Sequence, residues 1–349
     1  MLAGKKGRTV AGLDIGGNSI KLVKLEEKAG SYVLSGWGIK ELAPEIIVDE
    51  EIKDRDALIF NIQSLIDQTG IRTKDVGISL SGHGIITDKM VMDRKTGAEA
   101  VQAILFEAEQ RSPFDVEDVT MDYHIIKEDL ELNKMEVVLV AARREFLNSY
   151  LDLIMDAGLK PAIVDIDAFA IFNAYEINYE TNPKKVIALI DIGFDITTIT
   201  FIKDGMYHST RDVASGGRFV FNSMMREFRL NQDLAFKAMK GEMGSSIDQD
   251  MLKATVITSS EELISGLEVA FSYFKSSAKV SEIDWIVLSG GGALIPFLPE
   301  FIQAKLGIPI EIANPLRNIE FEPQIFGAEQ LQKVAPLLAV AVGLAARKV

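Results

Sequence analysis

Apolar and polar positions change their period repeatedly along the chain. Over residues 9–15 and 19–26 they read as strands, and Gly16, Gly17 and Asn18 between them suit the backbone angles of a tight hairpin. Residues 32–39 predict a third strand. Residues 55–69 place Leu58, Ile59, Ile62, Leu65 and Ile66 three and four apart, the spacing of an amphipathic helix, and 76–80 is a short buried strand. Strands, then helix, then strand is an α/β pattern.

Residues 82–159 read as a compact insertion. A helix over 98–111 stops at Ser112-Pro113, strands over 119–126 and 135–141 flank a turn at Asn133-Lys134, and a helix over 145–157 is closed by Gly158. A strand and helix follow over 162–178, and Asn182-Pro183 marks the main domain boundary. The second half opens with another hairpin, 186–203. Segments 219–227 and 233–241, a long helix over 259–277, a buried strand over 286–289, a triple glycine, a helix over 296–306 and an apolar helix over 336–347 complete the chain. No solenoid period is visible.

Composition narrows the function. At 349 residues the chain is long enough for two domains, and 48% apolar against 25% charged residues excludes a mainly disordered or fibrous protein. A net charge of -14 repels nucleic acid phosphates. The absence of cysteine removes disulfides, thiolate metal centres and a cysteine nucleophile, and His83, His124 and His208 are too scattered to suggest a histidine metal centre. The longest nearly apolar run, 336–346, is about half of the roughly 20 residues that span a bilayer. Lys5, Lys6 and Arg8 are soon followed by Asp14 and two glycines, unlike a signal peptide. The expected setting is cytoplasmic, with Trp37 and Trp285 packed in the two cores.

One motif occurs twice, half a chain apart. Leu13-Asp14-Ile15-Gly16-Gly17-Asn18-Ser19-Ile20-Lys21-Leu22 and Ile190-Asp191-Ile192-Gly193-Phe194-Asp195-Ile196-Thr197-Thr198-Ile199 are each an apolar strand ending in Asp-Ile-Gly, a short turn and a second strand. Such turns aim backbone N–H groups into one concavity, which suits phosphate oxygens. Ser19, Thr197 and Thr198 add hydroxyl donors. Asp14 and Asp191 suit Mg²⁺, a hard cation that keeps several waters. Two turns in separate halves predict domains of similar core fold gripping a polyphosphate from both sides. Val287-Leu288-Ser289-Gly290-Gly291-Gly292-Ala293-Leu294, a buried strand running into glycines before a helix, lets a flat ligand approach the backbone. Gly216-Gly217, beside Arg218, is a weaker element of the same kind.

Together these elements resemble the actin-like ATPase superfamily, which includes actin, sugar kinases, heat-shock chaperone ATPases and FtsA. Asp14 to Lys21 is similar to its first phosphate loop and Asp191 to Thr198 to its second. Ser289 to Leu294 resembles its adenosine loop, 164–170 its first connecting helix and 338–346 its second. Gln110-Arg111-Ser112-Pro113-Phe114-Asp115, 138–144, 156–161 and Thr210-Arg211-Asp212-Val213 are most similar to the PilM family of type IV pilus assembly. FtsA, the nearest alternative, normally ends in an amphipathic membrane helix, whereas Ala346-Arg347-Lys348-Val349 is not one.

The resemblance implies an actin-like two-domain α/β fold, with ribonuclease H-like domains facing a nucleotide cleft and an FtsA/PilM-type insertion. The first domain would comprise 1–81 and 160–182, with 336–349 returning to it. The insertion would be 82–159 and the second domain 183–335, with a smaller subdomain at about 222–265. ATP and Mg²⁺ are the implied ligands. The implied partner is the cytoplasmic N-terminal peptide of a PilN-like inner-membrane protein, lying in a groove beside the insertion, with other pilus inner-membrane and motor proteins beyond it. Membrane contact would run only through partners. Asp167 matches the acidic position that would orient water in slow ATP hydrolysis. Where the superfamily often has Ala-Glu holding the ribose, this chain has Ala235-Phe236, which leaves Lys237 or Lys240 for that contact. An FtsA-like filament-forming scaffold and a small-molecule kinase are the alternatives on the same fold.

Overall fold

The computed structural model describes residues 7–28, 30–111, 115–130, 133–322, 325 and 328–349. Lys5, Lys6 and the helix stop at Ser112-Pro113, with Phe114, lie outside the described residues. The first half runs β1 (Ala11–Ile15), β2 (Ser19–Lys28), β3 (Ser31–Glu41), the short strands β4 (Ile47–Val48) and β5 (Glu51–Ile52), α1 (Arg55–Thr69) and β6 (Asp75–Leu80). The inserted stretch holds β7 (Ile85–Asp93), α2 (Gly97–Arg111), β8 (Val119–Leu130), β9 (Lys134–Arg143) and α3 (Arg144–Asp156), and the half closes with β10 (Lys160–Ile166) and α4 (Asp167–Asn178). The second half runs β11 (Ile187–Ile192), β12 (Thr197–Lys203), β13 (Met206–Val213), α5 (Gly217–Phe228), α6 (Gln232–Met239), α7 (Gln249–Ser259), α8 (Glu261–Ala278), β14 (Trp285–Ser289), α9 (Leu298–Leu306), β15 (Ile310–Ile312), α10 (Ala328–Val334) and α11 (Ala339–Ala345).

Two five-stranded sheets share one topology. Their orders are β3-β2-β1-β6-β10 and β13-β12-β11-β14-β15: three antiparallel strands in a meander, then two parallel ones. The register makes the repeated motifs equivalent, with Asp14 opposite Lys21 and Asp191 opposite Thr198. In the first half Leu58, Ile62 and Leu65 of α1 join Leu13, Leu22 and Ile78 in the core of the first sheet, each burial being worth about 1.5–3 kcal/mol. The Asp54 side chain starts that helix by accepting the Ala57 N–H at 3.0 Å.

The inserted stretch divides by packing. The sheet β7-β9-β8 buries Met90, Met135, Val137 and Leu139 under Ala100, Ile104 and Ala108 of α2, a separate small core. By contrast, Tyr150, Leu153 and Ile154 of α3 join α1 in the core of the first sheet. Alternation cannot foretell which sheet an amphipathic helix will cover.

Two helices tie the halves together. Eight of the twelve residues of α4 are buried, and Ile171, Phe172 and Tyr175 pack with Leu189 and Ile202 of the second sheet. The wholly buried α11 crosses α4 so closely that a Cβ on Gly343 would stand 1.8 Å from the Ala170 carbonyl oxygen.

Three sequence boundaries shift. The long helix expected over 259–277 begins at Glu261, because the chain breaks at Ser260 between α7 and α8. The helix expected from 296 begins at Leu298, after Phe297 turns left-handed (φ 68°), and Pro299 fits its first turn, where no intrahelical N–H bond is needed. The terminal helix opens as a tighter turn over Ala335–Leu338, with Pro336 in its first turn.

Candidate functional site

Both Asp-Ile-Gly turns lie at strand ends that face each other, and between them is a cavity of about 790 Å³. Asp14, Gly16, Gly17, Asn18, Ser19 and Lys21 line it from the first half. Asp191, Gly193, Thr198, Gly217, Lys240, Gly290, Gly291 and Gly292 line it from the second, and Asp167, the first residue of α4, closes the floor. The turns are built alike, with the Gly16 N–H donating to the Ser19 carbonyl at 3.1 Å and the Gly193 N–H to the Ile196 carbonyl at 2.9 Å. Gly290 takes φ 82°, a left-handed angle that favours glycine, and its N–H is held by the Pro336 carbonyl at 2.9 Å.

Three expected residues fall outside the cavity lining. The Thr197 side chain is fully buried and donates its hydroxyl to the Ser215 carbonyl at 2.7 Å, because successive strand residues point to opposite faces and Thr198 takes the cleft side. Even Thr198 has its hydroxyl engaged, by Asp212 Oδ1 at 2.8 Å. Gly216 precedes α5 and is pressed against the second loop, where a Cβ would meet the Gly193 carbonyl oxygen at 2.7 Å. The N–H groups of Gly217 and Arg218 donate to the carbonyls of Gly193 (3.0 Å) and Phe194 (2.8 Å), so this helix start braces the loop. Lys237 is exposed on α6, while Lys240, a turn later, lines the cavity and pairs with Glu41 across it.

Three carboxylates share the floor. Lys21 Nζ lies 3.1 Å from Asp14. Asp191 accepts the Ser289 hydroxyl at 2.7 Å, and Asp167 accepts the Ser79 hydroxyl. Burial pushes Asp167 up to about 7, with the Asp14 charge adding to the rise and the Ser79 hydrogen bond opposing it. Burial likewise lifts Asp191 to about 6, against the Ser289 hydrogen bond. Among the described residues no group of three or more His, Asp or Glu is placed to cage a metal unaided. The donor set, carboxylate and amide oxygens, is that of a hard cation that keeps water. Asn18 Oδ1 is buried here with no hydrogen-bond partner, an acceptor facing a ligand-sized space.

Other lining residues carried no sequence signal. Glu50, Trp37, Gln330 and Lys333 all reach the cavity, so Trp37, expected in a core, also lines the cleft. Glu50 sits in a turn where it and Asp49 both have positive φ, and it accepts the His83 N–H at 3.0 Å. Burial raises its pKa. Phe236, at the position where a ribose-binding Glu is usual, packs against Phe194 and Phe221, with ring centroids 5.8 and 4.3 Å away. Asp165 pairs with Arg347 at 2.8 Å, away from the cavity lining.

The family model of type IV pilus assembly protein PilM matches residues 12–349. Over 89% of this chain and 77% of the relative, the sequence is 23% identical to cell division protein FtsA of Streptococcus pneumoniae serotype 2 (strain D39 / NCTC 7466). Among solved structures, a chain of a PilM-PilN type IV pilus biogenesis complex matches with a TM-score of 0.85 at 25% identity, over 97% of each chain. Ethanolamine utilization protein EutJ from Carboxydothermus hydrogenoformans (TM-score 0.53, 13% identity, 98% of this chain and 90% of that one) shares the fold. So does MreB5 of Spiroplasma citri bound to ADP (0.52, 14%, 96% and 94%). The expected actin-like two-domain α/β fold is therefore the fold observed. Among the described residues no helix is long and apolar enough to cross a membrane.

Proposed function

Because the chain belongs to the family of the type IV pilus assembly protein PilM, we propose that it is a nucleotide-binding assembly protein whose cleft takes Mg-ATP and whose state is read by a PilN-type membrane partner. The observation that carries this reading is the pair of equivalent Asp-Ile-Gly turns facing one cavity over three carboxylates. Asp14 and Asp191 would hold Mg²⁺, and the turns at Gly16, Gly17 and Gly193 would grip the phosphates with Asn18, Ser19 and Lys21, while Thr198, its hydroxyl donated to Asp212, shapes the second turn. Gly290, Gly291 and Gly292 back the nucleoside, with Lys240 beside it. Bound Mg²⁺ supplies positive charge against the phosphates, and the chain does the rest.

Asp167 orients the water. Its pKa of about 7 lets it exchange a proton near neutrality, and the Ser79 hydroxyl fixes its carboxylate. Domain closure on nucleotide is the state the partner senses. The partner is the N-terminal peptide of a PilN-like protein, extended beside the insertion, and it brings the chain to the inner membrane from the cytoplasmic side. The match to a PilM-PilN complex supports this over nearly the whole chain. Calorimetry with Mg-ATP tests the first half of the reading, with heat expected for the native chain and its absence refuting it. Anisotropy of a labelled PilN N-terminal peptide, with and without Mg-ATP, tests the second: binding altered by nucleotide supports it, and no binding in either state refutes it.

A further inference from the structure

Arg218 belongs to the second half by sequence, yet it spends much of its hydrogen-bonding capacity on the first. Its Nη1 donates to the Pro44 carbonyl at 3.2 Å and its Nη2 to the Ile47 carbonyl at 3.1 Å, both in the segment between β3 and α1. On its own side, Nε pairs with Asp195 Oδ1 and Nη2 reaches Asp195 Oδ2 at 3.1 Å, while the guanidinium carbon lies 4.5 Å from the Phe194 ring centroid. All three nitrogens are thus engaged and one face is covered. Asp195 in turn wedges against the opposite loop, where a Cβ on Gly17 would stand 2.2 Å from its Oδ2. The ion pair is mostly buried, with side chains 20% and 10% exposed.

We infer that Arg218 is a positioning residue that latches the cleft. It fixes the tip of the second loop through Asp195 and Phe194 and clamps that loop to the 44–47 backbone of the facing lobe. A rotation that separates the lobes must break the two carbonyl bonds while the Arg218–Asp195 pair moves as a unit. The latch therefore controls how readily the cleft opens to admit or release its ligand. A guanidinium suits the task because its planar fork serves several acceptors at once, and an ammonium does not have that fork. The claim about release rests on the nucleotide-binding reading. The claim about lobe clamping does not.

Two measurements on the full chain separate these claims. Hydrogen exchange of residues 45–53 in the ligand-free protein should accelerate about tenfold in Arg218→Ala, since charge-assisted bonds across the lobes are lost. It should accelerate to a similar degree in Arg218→Lys, which keeps the charge without the fork. Arg226→Ala, on the same helix but paired with Glu227 at the surface, should match the native rate. Native-like exchange in folded Arg218→Ala and Arg218→Lys overturns the latch. Stopped-flow release of a fluorescent Mg-ATP analogue should also be about tenfold faster in both Arg218 variants, and an unchanged rate overturns control of release. If the native chain retains no analogue, the nucleotide reading fails, and the exchange result still decides the clamp.

Discussion

Replacing Asp167 by Asn should stabilise the ligand-free protein, and only at the higher end of the pH range. Asp167 has its pKa raised to about 7, first by burial and then by the Asp14 charge. In the unfolded chain an aspartate titrates near 3.9. Below that value the side chain is protonated in both states and costs nothing. As pH rises toward 7 the unfolded state ionises while the folded state cannot, so the folded state loses ground; above about 7 the loss is complete. The gap between about 7 in the folded state and about 3.9 in the unfolded chain corresponds to roughly 4 kcal/mol. Asp167 borders a cleft that water can enter, which screens the charge and leaves about 1–2 kcal/mol. Asn keeps the size and still accepts the Ser79 hydroxyl, so packing is preserved. Urea unfolding at pH 4, 6 and 8 should show the variant equal to the native chain at pH 4 and more stable by about 1–2 kcal/mol at pH 8. A difference that is flat across pH, or that turns against the variant at pH 8, would refute the argument that this site holds an unfavourable carboxylate.

Asp14→Ala or Asp191→Ala should weaken Mg-ATP binding by about tenfold or more in calorimetry, each losing a charge-assisted metal contact. Binding of Mg-ATP should release protons at pH 6, where Asp191 is half protonated, and not at pH 8; titrations in buffers of different ionisation enthalpy read this directly. Gly343→Ala should destabilise the fold by about 2–3 kcal/mol or more in urea melts, because its methyl would collide with the Ala170 carbonyl where α11 crosses α4.

Much of the frame was legible because it rests on local chemistry. The helix over 55–69 has the bounds read from sequence, since its apolar period, the Asp54 cap and Gly70 agree. Both hairpins follow from Asp-Ile-Gly turns between β-rich runs. The site was less legible where phase or distance decided. Thr197 and Thr198 are the same residue type one step apart, and only the strand's pleat sends one to Ser215 and the other to the cleft. Lys237 and Lys240 differ by less than a helical turn, yet only Lys240 meets the cavity. Glu50, Lys333 and the bonds of Arg218 come from segments far apart in sequence, and no local pattern encodes such meetings. The packing of α3 belongs here too. Its apolar stripe announced a helix and left open which sheet it would cover, and because it covers the first, removing all of 82–159 would strip a wall from that core.

The duplication also explains why the site is lopsided in charge. The two halves place equivalent carboxylates, Asp14 and Asp191, on equivalent strands, but their cross-strand neighbours differ. Asp14 faces Lys21, a cation 3.1 Å away, whereas Asp191 faces Thr198, whose hydroxyl is already given to Asp212. The strands beside them, β6 and β14, carry Ser79 and Ser289, and these serve different aspartates: Ser289 donates to Asp191, while Ser79 is turned to Asp167 at the start of α4. Lys21 thus stands beside Asp14, while burial raises the pKa of both Asp167 and Asp191. Protons can balance such a site when it is empty. On the proposed reading a divalent cation would balance it without them, and two lobes that each contribute a carboxylate would both hold that cation only when closed around it. On that reading, charge imbalance within a symmetric frame would be a physical route from ligand binding to lobe closure, with no part required to be more flexible than the rest.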